Sequence, residues 1–359
     1  MLERYGHGGD LKTAEQLFGQ SAASFLDFSS NMNPIGPPPS VRQQILRYAD
    51  EIAAYPDPAV RELRVKLADR HRIPEASILV GNGAAELIDL AVRALNPRVT
   101  GLARPSFAEY EEAVRRIGGR ITDIPLHAEH GYALQERDLA SAAATADLLL
   151  LGHPNNPTGR LAPLSAIRGL LAEGKRILLD EAFIDFSPDE ERLSLIREAA
   201  HDSNLLVIRS MTKFYAIPGI RLGYIVAHPD RIAEMRGLQV PWSVNSLAQL
   251  IGMAVLEERE YAANTVRWLQ LERGWLIAEL ERLGLKVVPG EANYLLFSIP
   301  PASGHTAQTL QHAMGMRGIL LRDASRFPGL DRSCCRMAVK QRADNERFLD
   351  ALRTCMEQA

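Results

Sequence analysis

Four short runs in this chain, at 147–152, 176–179, 205–208 and 223–227, are uniformly apolar instead of alternating. A strand with one wet face alternates apolar and polar residues, whereas a strand buried on both faces reads as a continuous hydrophobic run. Helical stretches such as 163–173 lie between some of the runs, so the expected fold is α/β, a mainly parallel sheet with helices on both faces. SILVGNG at 77–83 reads as a further strand entering a glycine turn. AAELIDLAVRAL after it puts Leu87, Leu90, Ala91, Ala94 and Leu95 on one helical stripe. After about residue 229 a long helical region runs past 281. The chain then changes to short strands at 286–288, 294–299, 319–322 and 336–339, with helices at 306–317 and 343–356. Near the other end, NMNPIGPPPS at 31–40 holds four prolines and a glycine and is expected to be an extended arm. The organisation predicted is an arm over 1–44 that contributes to a small domain, a large domain over 45–260, and an inter-domain helix with a small α+β C-terminal domain over 261–359.

Composition narrows the function. With 359 residues, 41 Lys+Arg and 44 Asp+Glu, the net charge is −3, which gives no general attraction to nucleic acid or acidic membrane. Hydrophobic residues at 46% and charged residues at 24% exclude a mostly disordered chain. No apolar run reaches the ~18 residues of a spanning helix, and the N-terminus lacks the apolar core of a secretory signal. Cys334, Cys335 and Cys355 are too few and too clustered for a disulfide framework or a zinc site, so no metal is expected and the expected compartment is the cytoplasm.

The chemistry gathers where strands end. Ligands of open α/β sheets bind outside the carboxyl ends of the strands. Ser210-Met-Thr-Lys213 follows one buried run, and a lysine among apolar neighbours loses its proton readily and can attack an aldehyde. Its two hydroxyls, with Arg221 eight residues on, can hold a phosphate. Asp180 ends a second run, HPNNPTG at 153–159 ends a third, and Gly83-Ala84-Ala85 opens a helix whose free amides favour an anion. Each feature alone has a plain account as a surface lysine, a helix cap or a turn. Four together at strand ends do not.

The motifs HPNNPTG, DEAFIDF at 180–186 and SMTKFYAIPGIRLGY at 210–224 resemble those of fold-type I pyridoxal-phosphate enzymes of the class I/II aminotransferase superfamily, and the resemblance runs over nearly the whole length. It implies pyridoxal 5'-phosphate as cofactor, with Lys213 as the catalytic lysine that takes its aldehyde. By the same resemblance Asp180 pairs with the pyridinium nitrogen, keeping the ring an electron acceptor, and Asn156 donates to the phenolate oxygen. Ser210, Arg221 and the amides of Gly83, Ala84 and Ala85 hold the phosphate with Thr212 nearby. Phe107, in RPSFAEY, stacks on the ring, and Tyr55, in AYPDP, reaches the neighbouring subunit's site, which implies a homodimer.

Two branches of the superfamily compete. Histidinol-phosphate aminotransferases share most of these motifs. The N-terminal YGHGGD at 5–10, the arm DFSSNMNPIGP at 27–37 and YPDP at 55–58 look more like threonine-phosphate decarboxylases of cobalamin biosynthesis. Phe183 points the same way, since the aminotransferase branch usually carries a tyrosine there that bonds the phenolate oxygen. The expected reaction is decarboxylation of L-threonine O-3-phosphate to (R)-1-amino-2-propanol phosphate, with an aminotransferase as the alternative. Arg336 matches the arginine that holds a substrate carboxylate, while His7, Asn33 and Arg322 are the candidates for a substrate-phosphate pocket. A pyridoxal-phosphate-binding regulator fused to a DNA-binding domain is disfavoured, because the motifs run from residue 7 to near 340 and the net charge is negative.

Overall fold

Residues that are apolar on both sides of a strand need cover on both sides, and the computed structural model, which describes residue 2 and residues 8–357, provides it. Thirteen strands form three sheets among the described residues. β1 (Leu26–Asp27) belongs to the N-terminal arm. β2 (Ile78–Gly81), β3 (Val99–Arg104), β4 (Arg120–Pro125), β5 (Leu148–Gly152), β6 (Ile177–Asp180), β7 (Leu205–Ser210) and β8 (Gly223–Ala227) form a seven-stranded sheet in the order β2-β8-β7-β6-β5-β3-β4. β8 is antiparallel to both its neighbours, and the other pairings are parallel.

Successive residues of these strands face opposite sides. Leu149, Leu151, Leu179 and Val207 enter one core, while Leu148, Leu150, Leu178 and Leu206 enter the other. On the second face lie the helices Ala84–Leu95, Ala108–Arg116 and Pro229–Leu238. On the first lie Arg61–His71, Leu164–Ala172, Ser246–Val255 and Arg259–Arg282. Each fully buried leucine contributes ~1.5–3 kcal/mol relative to exposure, which is why a uniformly apolar run is stable only inside such a sandwich.

The C-terminal part builds a four-stranded antiparallel sheet from β9 (Lys286–Val287), β10 (Tyr294–Ser298), β12 (Arg322–Asp323) and β13 (Cys334–Ala338), in the order β12-β13-β10-β9. β11 (Ile319–Leu320) leaves that sheet and pairs in parallel with β1, Leu26 opposite Ile319. The expected strand at 319–322 is therefore two strands, because Leu321 changes the partner. The expected long helix from 229 is three helices, interrupted around Pro241 and again before Arg259. The proline-rich stretch is not extended throughout: Pro39 opens the helix Pro39–Tyr48, a position where proline's missing N–H costs nothing. Both expected domain boundaries, 44/45 and 260/261, fall inside helices. We propose the same three-part division with its boundaries moved to the starts of those helices.

Candidate active site

Register fixes where the polar side chains emerge. Gly152 pairs with Asp180 and Asp180 with Ile208, while Ser210 and Gly81 both pair with Gly223, so the carboxyl ends of β5, β6, β7 and β2 form one edge. A cavity of about 1060 Å³ lies along that edge. Ala84, Ala85, Phe107, Asn156, Asp180, Ser210, Thr212, Lys213, Arg221, Arg322 and Arg336 all line it.

Lys213 sits on the one-turn helix Met211–Phe214 directly after β7. Burial, then the positive charges of Arg221 and Arg336, push its ammonium down from 10.5 to about 8, against the opposing pull of Asp180. A tenth or so of the amine is thus neutral one pH unit below that value. Asp180, at the end of β6, is buried, and burial raises its carboxyl from 3.8 to about 6. The Tyr110 hydroxyl donates to its Oδ2 at 2.7 Å and the Ala182 N–H to its Oδ1 at 3.0 Å, and both hold the rise in check.

An anion cradle forms beside Lys213. The helix Ala84–Leu95 points its first amides at the cavity from Gly83, whose φ is +87°. A Cβ at Gly83 would lie 2.5 Å from Arg221 Nη2, so only glycine lets the guanidinium reach the helix start. Arg221 itself holds a positive φ of 56°, a strained setting for an arginine that places it over this turn. Ser210 and Thr212 join their hydroxyls at 2.8 Å on the same side. Phe107 caps the helix Ala108–Arg116 and meets Tyr110 edge-on, the ring centroids 5.7 Å apart.

At the other wall Arg336, on β13, donates through Nη1 to Asn156 Oδ1 at 2.6 Å and through Nη2 to the Ser29 carbonyl at 2.8 Å. Its guanidinium lies 5.5 Å from the Tyr294 ring centre. Arg322 on β12 pairs in register with Arg336, and paired residues of an antiparallel ladder share a face.

Two expected site residues lie away from the cavity lining, and a third is not among those described. His7 falls outside the described residues. Tyr55 is 86% exposed, packs on Trp242 and does not line the cavity. Asn33 is turned into the protein interior. Its amide donates to the Phe214 carbonyl, Tyr261 Oη and Thr265 Oγ1, and its backbone N–H to the Lys213 carbonyl, so it fastens the arm to the lysine turn and is absent from the cavity lining. Two residues earlier, Asn31 does line the cavity, and its buried Oδ1 has no hydrogen-bond partner among the described residues. Tyr110 is the other residue that reading the sequence missed. Its position three after Phe107 was the available signal, since that spacing returns to the same helical face.

An aromatic ring at the cavity wall, a buried carboxylate, an amine of lowered basicity and a glycine-gated anion cradle fit a flat heteroaromatic carrying a basic ring nitrogen, an aldehyde and a phosphate. Residues 23–352 match the family model "Aminotransferase class I and II". The chain belongs to the class I and II aminotransferase family, whose cofactor is pyridoxal 5'-phosphate. Within that family it is 38% identical to the threonine-phosphate decarboxylase of Salmonella typhimurium, over 98% of this chain and 96% of the relative. Two solved structures are each 30% identical and cover 92% of this chain and 99% of their own. One is the histidinol-phosphate aminotransferase from Clostridium acetobutylicum, with a TM-score of 0.87. The other is the L-threonine-O-3-phosphate decarboxylase from Porphyromonas gingivalis, at 0.80. Backbone shape is thus common to both branches. Among the described residues, no helix is long and apolar enough to cross a membrane.

Proposed function

We propose that this protein is a carboxy-lyase that decarboxylates L-threonine O-3-phosphate to (R)-1-amino-2-propanol phosphate, a precursor in cobalamin biosynthesis. The observation that carries the reading is the in-register pair Arg322 and Arg336 on one wall of the cavity. Two adjacent guanidiniums suit a substrate with two anionic groups, a carboxylate and a phosphate. The full-length similarity to a threonine-phosphate decarboxylase supports the same choice, as does phenylalanine at 183, which offers no hydroxyl to the cavity.

Bound pyridoxal phosphate supplies an electron sink for the pair left at Cα when a bond there breaks. The protein's residues decide which bond. Arg336 would grip the substrate carboxylate with its planar fork and so would fix the orientation of the Cα–carboxylate bond as well as supply affinity. Arg322 receives the phosphate end. Lys213 would hold the cofactor through its aldehyde and would supply the proton that replaces the lost carboxylate at Cα. Asp180 holds the proton on the ring nitrogen, and Asn156 faces the phenolate oxygen with its amide oriented by Arg336. Phe107 stacks on the ring, while Ser210, Thr212, Arg221 and the amides of Gly83, Ala84 and Ala85 bind the cofactor phosphate. The protein acts as a cytoplasmic homodimer in this reading, with exposed Tyr55 and Trp242 covered by the second copy and Tyr55 reaching its site. A complement of three cysteines, all buried, suits a reducing compartment.

The second reading, histidinol-phosphate aminotransferase, draws on the fold shared with that branch. One assay separates them. Purified protein with pyridoxal phosphate is given threonine phosphate and scored for carbon dioxide, then given histidinol phosphate and scored for pyridoxamine phosphate. We expect carbon dioxide, and a larger fall in its rate than in substrate affinity for Arg336→Lys, which keeps the charge and loses the fork. Efficient pyridoxamine phosphate formation with no carbon dioxide moves the protein to the aminotransferase branch.

A further inference from the structure

We propose that Tyr110 is a positioning residue for the cofactor's ring nitrogen: its phenol holds one oxygen of Asp180, so that the carboxylate meets the cofactor already aimed and anionic. The inference rests on the reading above and assigns the group that makes its Asp180 effective.

The geometry comes first. Asp180 accepts one hydrogen bond on each oxygen, from Tyr110 on Oδ2 and from the Ala182 N–H on Oδ1. Two donors on opposite oxygens fix the plane of a carboxylate, and each oxygen keeps a second lone pair for a ligand in the cavity. The Ala182 bond is local and follows from the turn after β6. The Tyr110 bond crosses from the helix Ala108–Arg116 and ties Asp180 to the helix that carries Phe107. The residue beneath the ring nitrogen and the aromatic ring at its face are therefore set by one element.

The packing does not require the hydroxyl. Tyr110 is 2% exposed and its ring sits in the apolar cluster with Leu102, Ala113 and Val114, a place phenylalanine would fill equally well. Burying a phenol there without a partner costs free energy, so the hydroxyl is retained for Asp180. Burial and the neighbouring Asp180 charge also push the Tyr110 phenol well above its usual range, which keeps it a donor at every working pH.

Five groups from four elements bear on Asp180. Tyr110 and Ala182 donate to it, and the cation of Lys213, past β7, favours its charged form. Glu181, its chain neighbour, disfavours that form, and the Tyr294 phenol on β10 lies close enough to feel the Asp180 charge. Of these, Tyr110 and Ala182 donate hydrogen bonds to its oxygens, and Tyr110 is the one whose donor can be removed by a side-chain change.

The test is a double-mutant cycle on cofactor affinity, read without turnover. The dissociation constant of pyridoxal phosphate is measured on stripped protein for wild type, Tyr110→Phe, Asp180→Asn and the double variant, from pH 6 to 8.5. Removing a hydrogen bond to a charged group costs ~1.5–3 kcal/mol where that charge matters, so Tyr110→Phe weakens cofactor binding about tenfold or more. The loss grows as pH falls, because the unassisted carboxyl takes a proton earlier. In the Asp180→Asn background the same change alters affinity by less than about twofold. On the loaded enzyme kcat falls while KM for substrate holds. If Tyr110→Phe does not fold, Tyr110→Met, of similar bulk and without a donor, replaces it in the cycle. Equal losses in both backgrounds, or no loss in wild-type background, overturn the role of Tyr110 and leave the proposed function standing. A wild type that binds no pyridoxal phosphate overturns both.

Discussion

Asp180 and Glu181 are neighbours at the end of one strand, both carboxylates, both buried, and they face opposite sides of the sheet. Glu181 is surrounded by donors. Arg209 Nε reaches it at 2.9 Å, the Ser194 hydroxyl at 2.6 Å and the Leu195 N–H at 2.9 Å. Arg209, 1% exposed, also bonds Asp185 and Glu190. Asp180 accepts from a phenol and one amide, and it opens on the cavity. A buried charge whose needs are met inside the protein is structural. One left partly met, beside a cavity, is set to receive a charged partner from outside.

The difference can be broken first from the Glu181 side. Arg209→Met leaves Glu181, Asp185 and Glu190 without their shared cation, and breaking a buried pair from one side costs ~3–5 kcal/mol. We expect that loss in urea unfolding of the cofactor-free protein near neutral pH. A loss under about 1 kcal/mol would place the two carboxylates on the same footing.

Asp180→Asn should do the reverse. The Asp180 carboxyl titrates near 3.8 in the unfolded chain and near 6 in the cofactor-free fold, so the folded state holds the proton more tightly. Its contribution is full below about pH 4 and is lost as pH rises through 6. At pH 8 cofactor-free Asp180→Asn should therefore exceed wild type by up to roughly 3 kcal/mol, with the gap closing at pH 4. Decarboxylation should meanwhile fall by about a hundredfold or more. Stability lost and activity kept in Asp180→Asn would reject its assignment as the underpaired site charge.

A smaller test leaves both carboxylates alone. Gly83→Ala puts a methyl group against Arg221 Nη2 at a positive φ, and the combined cost of about 1–2 kcal/mol falls on the anion cradle. Pyridoxal phosphate affinity should drop about tenfold and pyridoxal affinity much less, as measured by equilibrium dialysis. Equal losses for the two ligands would separate Gly83 from the phosphate.

The same contrast explains what reading the sequence could reach. β5 to β8 were legible because both faces of their sheet are covered, which leaves an unbroken apolar signature. β4 is an edge strand whose Arg120 and Pro125 are exposed, and β3 carries Thr100 and Gly101, so neither displays one. Lys213, Asp180, Asn156 and Arg221 stood out because polar residues at the ends of buried strands break a pattern. Tyr110 broke none: on an amphipathic helix it reads as core, and its spacing from Phe107 hints at the face it shares without revealing the hydroxyl's bond to Asp180. Arg209 was hidden in the opposite way, since an arginine after LLVI looks like the end of the strand. Asn31 and Asn33 are the same residue type two positions apart in an irregular arm, and no local rule says which one turns to the cavity.

The pairing of β1 with β11 has a consequence for how the molecule comes into being. Leu26 meets Ile319, and Arg336 bonds the Ser29 carbonyl, so the arm's partners are made roughly 290–310 residues after it. At ribosomal speeds of ~5–20 residues per second, residues 26–29 wait about 15–60 s for them. Through that interval the seven-stranded sheet can close while one wall of the cavity is still unwritten, and the nascent chain holds a lysine turn without the strand that will carry Arg336. The site is finished by late-made residues docking onto early-made ones, so its wall is complete only once Arg336 has been added and has found Ser29.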